Sequence, residues 1–158
     1  MKYIAYGSNM SIEQMAYRCP DAYVAGIGYL ENHKLEFYLH ATVEPANDGN
    51  KVPVVVWEIS PEDEKALDVY EGVPNYYVKQ TATVRMSDGE EIVGLIYIMN
   101  RFRDFPPSQA YFEGIASAYK RFGFKKELQA LHDARSRSVI ASWNYTKSYY
   151  KKGVATCR

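Results

Sequence analysis

Two cysteines, Cys19 and Cys157, stand near opposite ends of the chain. That is too few for a disulfide framework, and neither lies in a CxxC or metal-ligand spacing. No apolar run approaches the length of a membrane span. The opening MKYIAYGSNM is too short in its apolar part for a secretory signal. An excess of charge of one sign is also missing. Nineteen basic residues face nineteen acidic ones, so nothing favours a nucleic acid or another polyanion, although the last residues are locally basic. His33, His40 and His132 are too scattered to hold a metal. There is no GxSxG elbow, no P-loop and no glycine triplet after a strand. Gly26-Ile27-Gly28 lies within a β-prone run and reads as a bulge or close approach. These absences point to a reduced, soluble, cytoplasmic domain with no metal, no nucleic-acid partner and no membrane partner.

What is present fits one domain. The chain has 158 residues, 47% of them hydrophobic and 24% charged. Fifteen tyrosines outnumber six phenylalanines. Tyrosine favours strands, and it also suits surfaces that are half apolar and half wet. Strand packing accounts for most of these rings.

The pattern opens with a strand over Lys2 to Tyr6, a break at Gly7-Ser8-Asn9, and a capping-box signature from Ser11 to Gln14. That first helix ends before Cys19-Pro20. Tyr23 to Tyr29 and Lys34 to His40 read as strands, and Glu44 to Asn50 as a loop. Pro53 to Ile59 reads as a central strand buried on both faces. Ser60-Pro61-Glu62-Asp63 is a strong helix start, and Gly72 ends that helix. Two strands, Tyr77 to Met86 and Glu91 to Met99, flank an Asp88-Gly89 turn. Helical spacing returns after Ser108, breaks at Gly123 and resumes at Leu128, Leu131 and Ala134. Strands before helices imply an α+β fold with a mainly antiparallel or mixed sheet.

Three motifs carry candidate chemistry. In Tyr6-Gly7-Ser8-Asn9, a glycine after a strand lets backbone amides turn toward a ligand and form an anion nest. In LDVYEGVPNYY, Glu71 sits at a helix C-terminus, where the dipole disfavours a carboxylate and raises its pKa, as burial would too. A carboxyl group tuned upward suits general acid/base work. In DFPPSQAY, Pro106-Pro107 fixes a turn, Ser108 caps a helix, and Tyr111 lies one turn in. Each motif alone has an ordinary structural explanation: a strand-to-helix turn, a solvated glutamate, a core tyrosine.

Together, and in this order, they resemble the γ-glutamyl cyclotransferase-like family, which includes the AIG2-like proteins. The YGSNM start, the LDVYEGVPNYY segment and the Pro-Pro-Ser helix start with its early tyrosine carry the resemblance. It implies a small mixed-sheet β-barrel with flanking helices over residues 1–134. Residues 135–158 have no counterpart in that resemblance; being basic and tyrosine-rich, they read as an extension packed on the domain, with a homodimer contact as the alternative. The implied reaction converts a γ-glutamyl amide or γ-glutamyl amino acid to 5-oxoproline and a free amine or amino acid. It needs no cofactor. Glu71 would be the catalytic acid/base. Tyr6, Gly7, Ser8 and Asn9 would cradle the small-molecule γ-glutamyl substrate, largely through backbone amides. Tyr77 and Tyr111 would line the pocket, and which of Tyr76 and Tyr77 faces it stays open. The alternative is a family member that binds or signals without turnover. The leaving group is not specified by these residues.

Overall fold

The computed structural model describes residues 1–47, 49–100 and 102–154, except the side chains of residues 150–154. In chain order the elements are β1 (Lys2–Ala5), a 3-10 turn (Ser8–Met10), α1 (Ile12–Arg18), β2 (Tyr23–Glu31), β3 (His33–Tyr38), β4 (His40–Pro45) and β5 (Lys51–Glu58). Then come α2 (Pro61–Tyr70), β6 (Tyr77–Met86), β7 (Glu91–Met99), α3 (Gln109–Arg121), a second 3-10 turn (Lys125–Glu127) and α4 (Leu128–Val154).

Five strands in the order β1-β5-β2-β6-β7 close into a barrel. The closing pair, β1 with β7, is parallel, with Tyr3 opposite Leu95. The remaining pairs are antiparallel. The sheet is therefore mixed and the fold is α+β, as expected. β5 lies between β1 and β2, and its residues Val52 to Trp57 that carry apolar side chains are buried at 3% exposure or less. Those rows of valine are the wall on which the barrel interior packs.

Gly26 and Gly28 do what their positions imply. The β2–β5 register slips between Val24 and Gly26. A Cβ on Gly28 would come within 2.4 Å of the Arg85 carbonyl oxygen, so β2 and β6 approach there only because a side chain is missing. The Tyr77–Met86 and Glu91–Met99 hairpin has the expected bounds, with Gly89 in the left-handed region (φ 91°) at its turn.

One region differs from expectation. Lys34 to His40 is not a single strand. β3 turns back at Leu39 into β4, and the pair forms a separate two-stranded sheet that takes in Glu44 and Pro45. Leu39 adopts φ 70° at the turn, and its amide donates to the Phe105 carbonyl at 2.7 Å. A contact with a distant segment thus sets a turn that no glycine or proline marks.

α4 runs without a break across residue 134. Its first half is anchored: Leu131 and Ala134 are buried, and Arg137 grips Glu36 of β3 with bonds of 3.1 Å to both carboxylate oxygens. Further along, Trp143, Tyr145 and Tyr149 are exposed rather than laid over the barrel. Burial on this helix follows the reach of β3 and α3 and not the tyrosine pattern. The Tyr150 side chain and Cys157 lie outside the described residues. No helix among the described residues is long and apolar enough to cross a membrane.

Candidate active site

The site begins with α2. Ser60 accepts from the Asp63 amide at 3.1 Å, and the Asp63 carboxylate accepts from the Ser60 amide at 3.0 Å. This reciprocal cap fixes where the helix starts, and fully buried Leu67 fixes its rotation. Ten residues later the helix ends on Glu71, which keeps helical angles (φ −77°, ψ −7°). Gly72 then takes φ 63° and stops it. With start, rotation and stop all set, the Glu71 side chain points into the protein.

Burial there pushes its pKa up to about 7, while the charge of Arg18 and a hydrogen bond from Asn9 pull the other way. The sequence offers two causes for the rise, the helix dipole and burial. In the structure, desolvation is its largest cause, because the carboxyl group is enclosed by neutral rings.

The Tyr6-Gly7-Ser8-Asn9 loop faces Glu71. β1 delivers it, and the 3-10 turn that follows directs its first amides away from the strand ladder. A Cβ on Gly7 would sit 3.3 Å from the Ala41 Cβ and 3.5 Å from the Tyr111 hydroxyl, so glycine keeps the floor of the site open. Asn9 is buried, and its side-chain amide donates to Glu71 Oε1 at 3.0 Å and to the Tyr3 hydroxyl at 2.9 Å. Its carbonyl accepts from Trp57 Nε1 at 3.0 Å. Asn9 thus meets the carboxyl group through its side chain, a contact not implied by a backbone cradle alone.

Tyrosines build the remaining wall. The Tyr77 hydroxyl donates to the Ala41 carbonyl at 2.7 Å, and the Ala41 amide donates to the Tyr111 hydroxyl at 3.1 Å. One residue of β4 therefore positions both rings. The Tyr6 hydroxyl donates to the Tyr97 carbonyl at 2.5 Å, and the Tyr97 hydroxyl donates to Asp68 at 2.7 Å. Burial raises the pKa of each of these phenols, so they stay protonated donors and acceptors near neutrality.

A cavity of about 260 Å³ lies between these groups. All seven residues singled out from the sequence border it: Tyr6, Gly7, Ser8, Asn9, Glu71, Tyr77 and Tyr111. Tyr76 and Tyr77 both do as well. Tyr77 is buried, and Tyr76 is half-buried with its hydroxyl 3.0 Å from His40 Nδ1. Tyr3, His40 and Tyr97 border the cavity too and are absent from the sequence assignment. Tyr97 was findable. The hairpin sets Tyr77 opposite Met99 and Lys79 opposite Tyr97, so Tyr97 shares a face with Tyr77 by the two-residue period. His40 carried no such signal, because the unmarked turn at Leu39 is what aims it. Among the described residues, no three His, Cys, Asp or Glu side chains gather as a metal site.

The family model for γ-glutamyl cyclotransferase, AIG2-like, matches residues 3–120. The chain is 31% identical over 139 residues to a cattle protein named γ-glutamylcyclotransferase, covering 80% of this chain and 74% of that one. A human protein of the same name is 30% identical over the same shares. A solved structure of a γ-glutamyl cyclotransferase superposes with a TM-score of 0.75 at 29% identity, covering 82% of this chain and 83% of the other.

Proposed function

This chain belongs to the γ-glutamyl cyclotransferase, AIG2-like family, and on that premise we propose that it converts a γ-glutamyl amide or γ-glutamyl amino acid to 5-oxoproline, with Glu71 as acid/base. The observation that carries the reading is a carboxyl group with a pKa near 7 in a tyrosine-lined cavity, hydrogen-bonded to the YGSN loop.

The chemistry suits those parts. In the substrate, the α-amine and the γ-carbonyl are already tethered, and ring closure to five members needs orientation more than encounter. The amine is an ammonium ion at neutral pH and must lose a proton before its lone pair can attack. A base with a pKa near 7 is half ionised there and can take that proton. Attack forms the ring C–N bond and places negative charge on the carbonyl oxygen. Amides around Gly7 and Ser8 are the donors we assign to that charge. Collapse breaks the bond to the leaving nitrogen. The surplus protons of the attacking amine end on the leaving amine, and Glu71 is the group placed to relay them. Tyr77 and Tyr111 hold the glutamyl end, their own positions fixed by Ala41.

Release of 5-oxoproline from a panel of γ-glutamyl amides and peptides tests the reading. Wild type should release it from at least one member, and Glu71→Gln should not. Absence of release from every member would overturn the enzyme reading in favour of a binding module. Equal release by Glu71→Gln would leave the reaction standing and remove Glu71 from it.

A further inference from the structure

Behind Asn9, on the side away from the cavity, lies Arg18 at the end of α1. It does not border the cavity. Its hydrogen bonds end on neutral oxygens: Asn9 Oδ1, Ser8 Oγ at 3.4 Å and the Tyr70 hydroxyl at 2.6 Å. The guanidinium also stacks on the Tyr70 ring, 3.6 Å from its centroid. Among the described residues, this cation is held by neutral contacts, without a carboxylate to cancel its charge.

A guanidinium has donors and no acceptor. Facing Asn9, it requires the carboxamide oxygen on its own side. The amide nitrogen must then point the other way, where its two N–H groups meet Tyr3 and Glu71 Oε1. Turned over, Asn9 would set its oxygen against the Glu71 carboxylate and its NH2 against Arg18, and both contacts would be repulsive. We propose that Arg18 is a positioning residue of the active site: it locks the orientation of the Asn9 side chain and holds a positive charge behind it, so that Glu71 reaches its ionised form within a desolvated pocket. The proposal rests on the reading of Glu71 as the acid/base.

The other groups facing Glu71 do not supply this charge. Tyr3 faces it from β1, Tyr6 from the loop after β1, Tyr77 from β6, Tyr97 from β7 and Tyr111 from α3. All are neutral phenols, whose ionisation its charge further opposes. Lys79 lies beyond Tyr97 and is engaged by Asp68 at 2.8 Å and Glu64 at 2.9 Å. His40 is held toward its neutral form by burial.

The experiment compares wild type, Arg18→Met and Arg18→Lys by two readouts on the full chain. One is the pH profile of kcat/KM for 5-oxoproline release. The other is a 13C NMR titration of the Glu71 side-chain carboxyl, which needs no turnover. In Arg18→Met the midpoint of the acid limb and of the NMR titration should both rise by about one pH unit, lowering kcat/KM about tenfold below pH 7. Above pH 9 the variant should approach wild type. Arg18→Lys keeps a charge but not the planar fork, and its midpoint should fall between the other two. A uniform loss of rate with an unmoved midpoint would mean a merely structural role and overturn the proposal. Should Arg18→Met fail to fold by circular dichroism, an unmoved midpoint in Arg18→Lys overturns it instead. A wild type that releases no 5-oxoproline defeats the reading of the reaction, whereas the NMR midpoints still decide the role of Arg18.

Discussion

At its N-terminus α2 follows every local preference for starting a helix. Ser60 and Asp63 cap each other, Pro61 fills the first position, and three acids occupy the first turn. At its C-terminus the same helix has no basic residue in the last turn and ends on a half-buried carboxyl group whose pKa is raised by desolvation. One end is built for stability. The other accepts a local cost, and the residue that causes the cost is the one assigned to chemistry. Departures from local rules are expected where function sits, and here both cases occur within a single element.

The largest test of this contrast is Glu71→Gln. Loss of the acid/base should lower kcat for 5-oxoproline release by about 10²- to 10⁴-fold, while circular dichroism shows the fold unchanged. Next comes stability against pH. The Glu71 pKa is raised in the folded state, so its contribution is present below about pH 4.5 and is lost as pH rises through about 7. Urea unfolding at pH 5 and pH 8 should therefore show wild type losing stability relative to Glu71→Gln, by up to about 3 kcal/mol. At the opposite end, Ser60→Ala should cost about 1 kcal/mol of stability and leave kcat/KM unchanged. A drop in kcat/KM there would break the division between the two ends. The smallest effect belongs to Val69→Lys, on the exposed side of the last turn. A cation at that position should add about 0.3–1 kcal/mol through the dipole, read as a higher urea midpoint, without loss of turnover.

The sequence was most legible where a local rule sets the structure. The caps of Ser11, Ser60 and Ser108 each accept from the amide three residues on. The Asp88-Gly89 hairpin and the apolar run of β5 likewise need no tertiary information. Glu71, the YGSN loop, Tyr77 and Tyr111 were reachable only because their order resembles a family; singly, each had an ordinary explanation. What stayed hidden depends on contacts between distant segments. The turn at Leu39 is held by Phe105, and with it go β4, Ala41 and His40, which complete the tyrosine wall. A raised pKa for Glu71 follows from the dipole or from burial, but the rings that do the burying, Tyr3, Tyr6 and Tyr97, have no signature in the residues around position 71. The exposed rings of α4 also escaped: tyrosine and tryptophan at helical spacing do not say which face has a neighbour.

The parallel closure of β1 against β7 has a kinetic consequence. Tyr6 donates to the carbonyl of Tyr97 across a separation of 91 residues, at the seam where the barrel shuts. Loop-closure entropy must be overcome before such a contact returns anything, and topologies dominated by distant pairings fold slowly. No contiguous stretch that stops short of β7 holds the cavity, although it contains the YGSN loop and Glu71. During folding, the hairpins and α2 can form while the reaction chamber is still two half-walls, and catalytic competence requires both the β1–β7 pairing and the docking of α3, which carries Tyr111. Recovery of turnover after dilution from denaturant should accordingly track closure of the barrel and lag behind recovery of helix.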